Sequence, residues 1–106
     1  MADSCFRIED GVLVEYLERS FFGEVVIPDG VWKIGKEAFF CSTVKEVVFP
    51  KGLREIGDNA FGQCVHLKSP QLPEGLATIG KRAFQSCCFE ELLLPDGLEK
   101  IGNSAF

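Results

Sequence analysis

Five cysteines and a single histidine are the side chains whose chemistry would be easiest to recognise in this chain of 106 residues. Cys41, Cys64 and Cys87 recur every 23 residues. A zinc site needs ligands in pairs about two to four residues apart, and this spacing does not provide them. With one residue missing before Cys41, the three thiols fall at one repeat position. We expect all three to face inward, because a buried cysteine behaves as a small apolar side chain.

The histidine, His66, follows Cys64 by two residues and has no serine, aspartate or cysteine partner at a matching repeat position. It therefore offers no catalytic triad or metal constellation, and we expect a solvated loop residue. Glu90 and Glu91 are adjacent, so on a strand they would point in opposite directions rather than at one substrate bond. The chain contains no phosphate-binding glycine loop and no H-E-x-x-H motif. We predict no enzyme activity, no cofactor and no metal.

Charge and composition exclude further classes of protein. Sixteen acidic residues against eleven basic ones give a net charge of −5, and a nucleic-acid binder needs a basic face. The hydrophobic fraction of 46% is typical of one globular domain. No apolar run approaches the roughly 18 residues of a membrane span. The N-terminal MADSCFR lacks the basic and apolar regions of a signal peptide, which predicts a cytoplasmic location for the chain as given.

Four prolines mark a repeat that runs through most of the chain. They lie 22, 23 and 22 residues apart, at Pro28, Pro50, Pro73 and Pro95. Each is followed at fixed distances by a glycine, an Ile-Gly pair and an Ala-Phe pair. The pairs begin at Ile34, Ile56, Ile79 and Ile101, and at Ala38, Ala60, Ala83 and Ala105. A fixed period of about 20 to 50 residues indicates a stacked repeat architecture.

One repeat can be interpreted segment by segment. Residues 44–49 alternate as a strand does, and the Pro-Lys-Gly that follows ends it with a turn. Residues 53–56 are a second short extended or irregular piece, and residues 58–61 predict a turn or a 3₁₀ segment. A unit of 22 or 23 residues cannot bury its own apolar side, whereas stacked units can. We therefore predict a β-rich solenoid with a phenylalanine-rich interior.

The repeated residues resemble the BspA-like class of bacterial leucine-rich repeats, whose units read xIPxGVxxIGxxAFxxCxxL. The likeness covers Phe22 to Phe106, and residues 6–13 look like the lead-in of that family. The resemblance implies a curved, right-handed solenoid with a parallel sheet on one face and turns or 3₁₀ segments on the other. It also implies a non-enzymatic interaction module, since family members are mostly surface or secreted proteins that bind other proteins.

The N-terminal segment predicts a hairpin cap. Asp10-Gly11 is a hairpin turn signal, so Phe6–Glu9 and residues 12–17 are expected to pair and cover the first unit. We divide the single domain into a cap, residues 1–21, and four repeats, of which the last is incomplete. The repeats are residues 22–43, 44–66, 67–88 and 89–106.

Two departures from the repeat bear on the fold. Pro70 lies where the other units have Val47 and Leu92, inside the third strand. Because proline donates no backbone hydrogen bond, we expect the strand ladder to be interrupted there. The sequence given ends at Phe106 without a polar capping unit, and solenoids need caps for solubility. This end is therefore either followed by more chain or covered by something, including a second copy.

The strand positions that point outward form two columns. One holds Glu24, Glu46, Ser69 and Glu91, and the other holds Val26, Val48, Gln71 and Leu93. Stacked like charges disfavour the fold, and an exposed apolar row disfavours solubility. The columns are either tolerated surface residues or an apolar strip with an acidic border, suited to a partner with a basic rim.

Trp32 is a further candidate, because its repeat equivalents Arg54, Ala77 and Glu99 indicate a solvent-facing position. Tryptophan is enriched in binding hot spots. The ring can equally pack on the predicted hairpin, and we favour that interpretation slightly.

We conclude from the sequence that the chain is a protein-interaction module that uses the outward face of its sheet. One alternative is a structural fragment of a longer cell-surface repeat protein. Another is a small acidic intracellular inhibitor that blocks a basic groove of its partner.

Overall fold

The structure is a computed structural model that describes residues 5–18, 20–21, 23–89 and 91–106. The elements are short strands joined by turns, and the described residues contain no α-helix. The strands are β1 (Phe6–Glu9), β2 (Val12–Tyr16), β3 (Glu24–Val26), β4 (Lys33–Ile34), β5 (Glu46–Val48), β6 (Glu55–Ile56), β7 (Thr78–Ile79) and β8 (Lys100–Ile101).

The larger sheet has six strands in the order β1-β2-β4-β6-β7-β8. β1 and β2 form the expected antiparallel hairpin. Asp10 and Gly11 at its turn have φ values of 52° and 78°, which is the geometry that hairpin turns with this dipeptide adopt. β2 then pairs in parallel with β4, and the remaining strands follow in parallel. The hairpin thus covers one end of a parallel ladder.

The smaller sheet contains only β3 and β5, which pair in parallel. This corrects the expectation from the sequence, which gave the sheet to these strands and treated residues 53–56 as an extended or irregular piece. The long ladder is built by the Ile-Gly segments instead. These segments are only two residues long, so their alternation is too short to predict a strand, and their pairing depends on the stacking of the units.

Runs of tight turns follow the Ile-Gly segments, at residues 36–41, 58–63 and 81–86. Their amides alternate between two kinds of hydrogen bond. The Ala60 amide donates to the Gly57 carbonyl three residues back (3.2 Å), whereas the Phe61 amide donates to the Ala83 carbonyl of the next unit (2.7 Å). Asn59, the third residue of the Gly57–Ala60 turn, has a φ of 55°, as a type II turn requires. The turns therefore connect neighbouring units as the strands do.

A column of stacked aromatic rings fills the interior. Tyr16, Phe39, Phe61, Phe84 and Phe106 follow one another with centroid distances of 4.8, 4.7, 5.3 and 5.8 Å. The first four rings are fully buried, whereas Phe106 is 52% exposed because no described ring covers its far side. The predicted burial of Phe39, Phe61 and Phe84 is confirmed.

Candidate protein-binding surface

The outward columns are aligned where β3 and β5 pair. Glu24 lies opposite Glu46, and Val26 lies opposite Val48. Because strand residues alternate between faces, Val25 and Val47 point into the core while their neighbours face outward. Val26 is 57% exposed and Val48 is 44% exposed. Two valines and two glutamates therefore form a small mixed surface on a rigid support.

The apolar column continues beyond the small sheet with less order. Gln71 forms an isolated parallel bridge with Val48, so it extends the column by one residue. Leu93 is 86% exposed, and Glu91 and Ser69 are exposed as well. No bridge joins Gln71 and Leu93 among the described residues. All seven sheet residues of the predicted site are exposed, and their part in binding remains a prediction.

The expected interruption at Pro70 is confirmed, and its geometry can be followed atom by atom. In the register of β3 and β5, the Ile27 amide donates to the Val48 carbonyl. The same register, continued along the stack, requires an amide at position 70 to donate to the Glu91 carbonyl. Proline has no amide hydrogen. The Ser69 hydroxyl donates to that carbonyl instead, at 2.5 Å.

Trp32 packs on the hairpin, which was the favoured of its two interpretations. Its indole Nε1 donates to the Asp10 carbonyl (2.9 Å), and its backbone amide donates to the Gly11 carbonyl (2.9 Å). The ring lies so close over Gly11 that a side chain at that position would collide with it. Trp32 therefore joins the hairpin to the first repeat, although 40% of the residue stays exposed.

The cysteine column was wrongly predicted at one position. Cys64 is fully buried and Cys87 is half-buried, but Cys41 is exposed. Ser42 is the buried residue that corresponds to Cys64, because each follows its Ala-Phe alanine by four residues. The missing residue therefore lies after Ser42 rather than before Cys41. Cys41 occupies the position of Gln63, where the backbone turns with a positive φ.

The buried thiols are bound to the backbone of the preceding unit. Cys64 donates its Sγ hydrogen to the Phe39 carbonyl (3.0 Å), and Cys87 donates to the Phe61 carbonyl (3.2 Å). Burial, with a smaller effect from Cys64, raises the pKa of Cys87 to about 12. Burial likewise raises the pKa of Tyr16 to about 12. Raised values indicate protonated core side chains, which suits packing better than nucleophilic chemistry.

Neither a metal cluster nor a membrane span is found in the part of the chain that the structure describes. No three histidine, cysteine, aspartate or glutamate side chains there are grouped as metal ligands. His66 is exposed in its loop, as expected. The same residues include no helix with the length and apolar character needed to cross a bilayer.

One surface feature was missed by sequence reasoning. Glu74 and Asp96 lie at the wall of a groove between the third and fourth repeats, which also includes Gln71 and Leu93. The break at Pro70 was the available signal, but its effect on neighbouring turns depends on how the units splay.

Comparison with protein families identifies the repeat. A model of the BspA-type leucine-rich repeat region, with six copies, matches residues 16–106. The chain belongs to the BspA-type leucine-rich repeat family. Members of this BspA-type family are generally protein-interaction modules. A search of curated proteins found no match.

Two solved structures are similar to this BspA-type chain. A leucine-rich repeat protein from Bacteroides ovatus is 40% identical with a TM-score of 0.74, over 79% of this chain and 22% of that protein. The T. pallidum leucine-rich repeat protein is 27% identical with a TM-score of 0.68, over 97% of this chain and 64% of that protein. The chain thus spans about a fifth of the first relative and less than two thirds of the second.

Proposed function

We propose that the chain is a non-enzymatic module that binds a protein partner through the outward face of its small sheet. The observation that carries the proposal is the exposed pair Val26 and Val48, held in register and bordered by Glu24 and Glu46. The valines supply a surface that a partner can desolvate. The glutamates attract and orient a partner with a basic rim. Gln71, Glu91 and Leu93 extend this surface along the stack.

The architecture that we propose for this role is a right-handed solenoid of four repeats, residues 22–106, with residues 1–21 as its cap. The antiparallel hairpin at one end and the six-stranded ladder support it. A rigid stack presents side chains at fixed spacing, which reduces the entropy lost on binding. We place the protein at the bacterial surface, as is usual in this family.

Replacing Val48 by arginine tests the proposal. The side chain is 44% exposed, so the fold should persist, while a charge in the apolar centre should abolish binding. The measurement is affinity capture from cell-surface extracts, followed by the Kd of the captured protein for both variants. Val65→Arg is the matched control, since Val65 is 46% exposed in a loop outside the columns. Equal affinity of the parent and Val48→Arg would contradict the proposal, as would no capture.

The acidic border is tested by Glu46→Lys. This variant should mainly slow association and weaken its dependence on salt, because the glutamate acts over a distance rather than by close packing. Glu99→Lys is the control, since it makes the same charge change at an exposed position outside the columns. If both variants slow association equally, the effect belongs to net charge and not to this border.

A second candidate is a structural section of a longer cell-surface repeat protein. The observation that favours it is the exposed ring of Phe106, against which a further unit or a second copy could stack. The short coverage of the Bacteroides ovatus relative, 22% of its length, supports it as well.

A further inference from the structure

A groove of about 660 Å³ opens between the third and fourth repeats on the outward side of the molecule. Its walls are Ser69–Leu72 with Glu74 on one side, and residues 93–97 on the other. The volume lies within the range of about 300 to 1,000 Å³ in which proteins bind ligands.

The groove is open on one side because the two units separate there and remain joined elsewhere. In the larger sheet, Thr78 pairs with Lys100 and Ile79 pairs with Ile101, as in the other units. On the outward side, Pro70 removes a ladder bond and the strand pairing ends. The last ring distance, 5.8 Å, is also wider than the 4.7 to 5.3 Å within the stack. The two repeats thus form a wedge that is closed at the larger sheet.

Backbone groups in this wedge are available to a ligand. The register places the Leu72 amide opposite the Leu93 carbonyl, and both residues line the groove. The described residues show no backbone hydrogen bond between 69–75 and 91–97. Unpaired strand groups are a template for another extended chain. Main-chain pairing of this kind is a recurrent way of binding peptides.

The charge and apolarity of the walls indicate which peptide fits. The charged side chains among the described lining residues are two carboxylates, Glu74 and Asp96. They occupy the same position of successive Pro-x-Gly turns, so they are stacked neighbours. Leu93 and Leu94 supply exposed apolar surface beside them. A cationic side chain next to an aliphatic one matches this arrangement.

We propose that the groove binds an extended segment of the partner that contains lysine or arginine. The segment's backbone pairs with Leu72 and Leu93, its cationic side chain contacts Glu74 and Asp96, and an aliphatic neighbour packs on Leu93. This inference rests on the proposed function, since it assumes a protein partner, but it assigns recognition to the wedge rather than to the valine pair. Pro70 then has a functional reason, because it keeps the wedge open.

The first test is an NMR titration of the ¹⁵N-labelled chain with the peptide acetyl-Val-Arg-Leu-Arg-amide. The amides of Gln71, Leu72 and Leu93 should shift. The double variant Glu74→Gln/Asp96→Asn should bind at least about tenfold more weakly, and acetyl-Val-Glu-Leu-Glu-amide should not bind to the parent. No shift at these amides, or equal affinity of the double variant, would overturn the proposal.

The second test is Pro70→Val, which restores the missing amide donor and lets the third and fourth repeats pair. The melting temperature should rise, and affinity for the arginine peptide should fall about tenfold although both carboxylates remain. Unchanged affinity in a folded Pro70→Val variant would overturn the role of the wedge. Val48→Arg separates the two proposals. Val48 does not line the groove, so this variant should keep peptide affinity even if it loses the whole partner.

Discussion

At the residue scale, one position decides how the repeat is aligned. Cys41 and Ser42 are adjacent, and either can be matched with Cys64 by moving a single gap. Residue type favours the cysteine, but the backbone favours the serine. Position 41 has a φ of 62°, close to the 61° of Gln63 and the 66° of Ser86. The conformation of the turn therefore fixes the alignment, and a serine hydroxyl occupies the core position, where it accepts a hydrogen bond from the Val44 amide.

Cys87 gives a prediction about pH. Its pKa is raised to about 12 in the folded chain, mainly by burial, against 9.0 in the unfolded chain. Below pH 9 both states keep the proton, so the thiol causes no pH dependence. Between pH 9 and 12 the unfolded state loses its proton first, so the free energy of unfolding should fall as pH rises.

Urea unfolding at pH 8 and pH 10 measures this effect. Cys87→Ala should lose less stability between these two pH values than the parent does. Tyr16 contributes a similar decrease above pH 10, and it remains in the variant as an internal reference. The same loss of stability in both proteins would show that Cys87 ionises equally in the folded and unfolded chains.

At the scale of the element, the glycines of the Ile-Gly segments act through close approach rather than turn conformation. A Cβ at Gly80 would lie 2.6 Å from the Asp58 amide nitrogen and 2.7 Å from the Gly57 carbonyl carbon. Gly57 and Gly102 meet the backbone of the preceding unit in the same way. The motif is therefore conserved between the repeats of this chain because the units touch backbone to backbone there.

Gly80→Ala should destabilise the chain by about 1–3 kcal/mol, the usual cost of forcing extra atoms into a packed site. Gly52→Ala is the matched control, since a Cβ at Gly52 meets nothing within 4 Å. Chemical unfolding of both variants gives the comparison. A Gly80→Ala variant as stable as Gly52→Ala would mean that the units can separate at no cost.

At the scale of the whole molecule, stability should depend on position along the aromatic stack. Phe61 is fully buried between Phe39 and Phe84, while Phe106 has one ring neighbour and is half exposed. Phe61→Ala should cost about 3–5 kcal/mol, because it leaves a cavity between units that cannot collapse. Phe106→Ala should cost clearly less. Thermal and urea unfolding test this order, which a melting temperature of Phe61→Ala equal to the parent's would contradict.

The sequence by itself determined the repeat, its aromatic interior and the hairpin. The repeated Ala-Phe pairs place one ring in every unit, and stacking is the way such a unit buries its ring. Asp10-Gly11 specifies its turn locally, since both residues accept a positive φ. Pro70 was also readable, because a missing amide hydrogen is a property of the residue itself.

Only the tertiary structure decided which segments form the long sheet and where a ligand could enter. Two-residue strands such as β6 and β7 exist because neighbouring units bring their backbones together, and no local pattern of two residues records that. The exposure of Leu93 and the position of Glu74 and Asp96 likewise depend on the angle between the last two units. That angle is set by the bonds kept in one sheet and lost in the other, which no single unit contains.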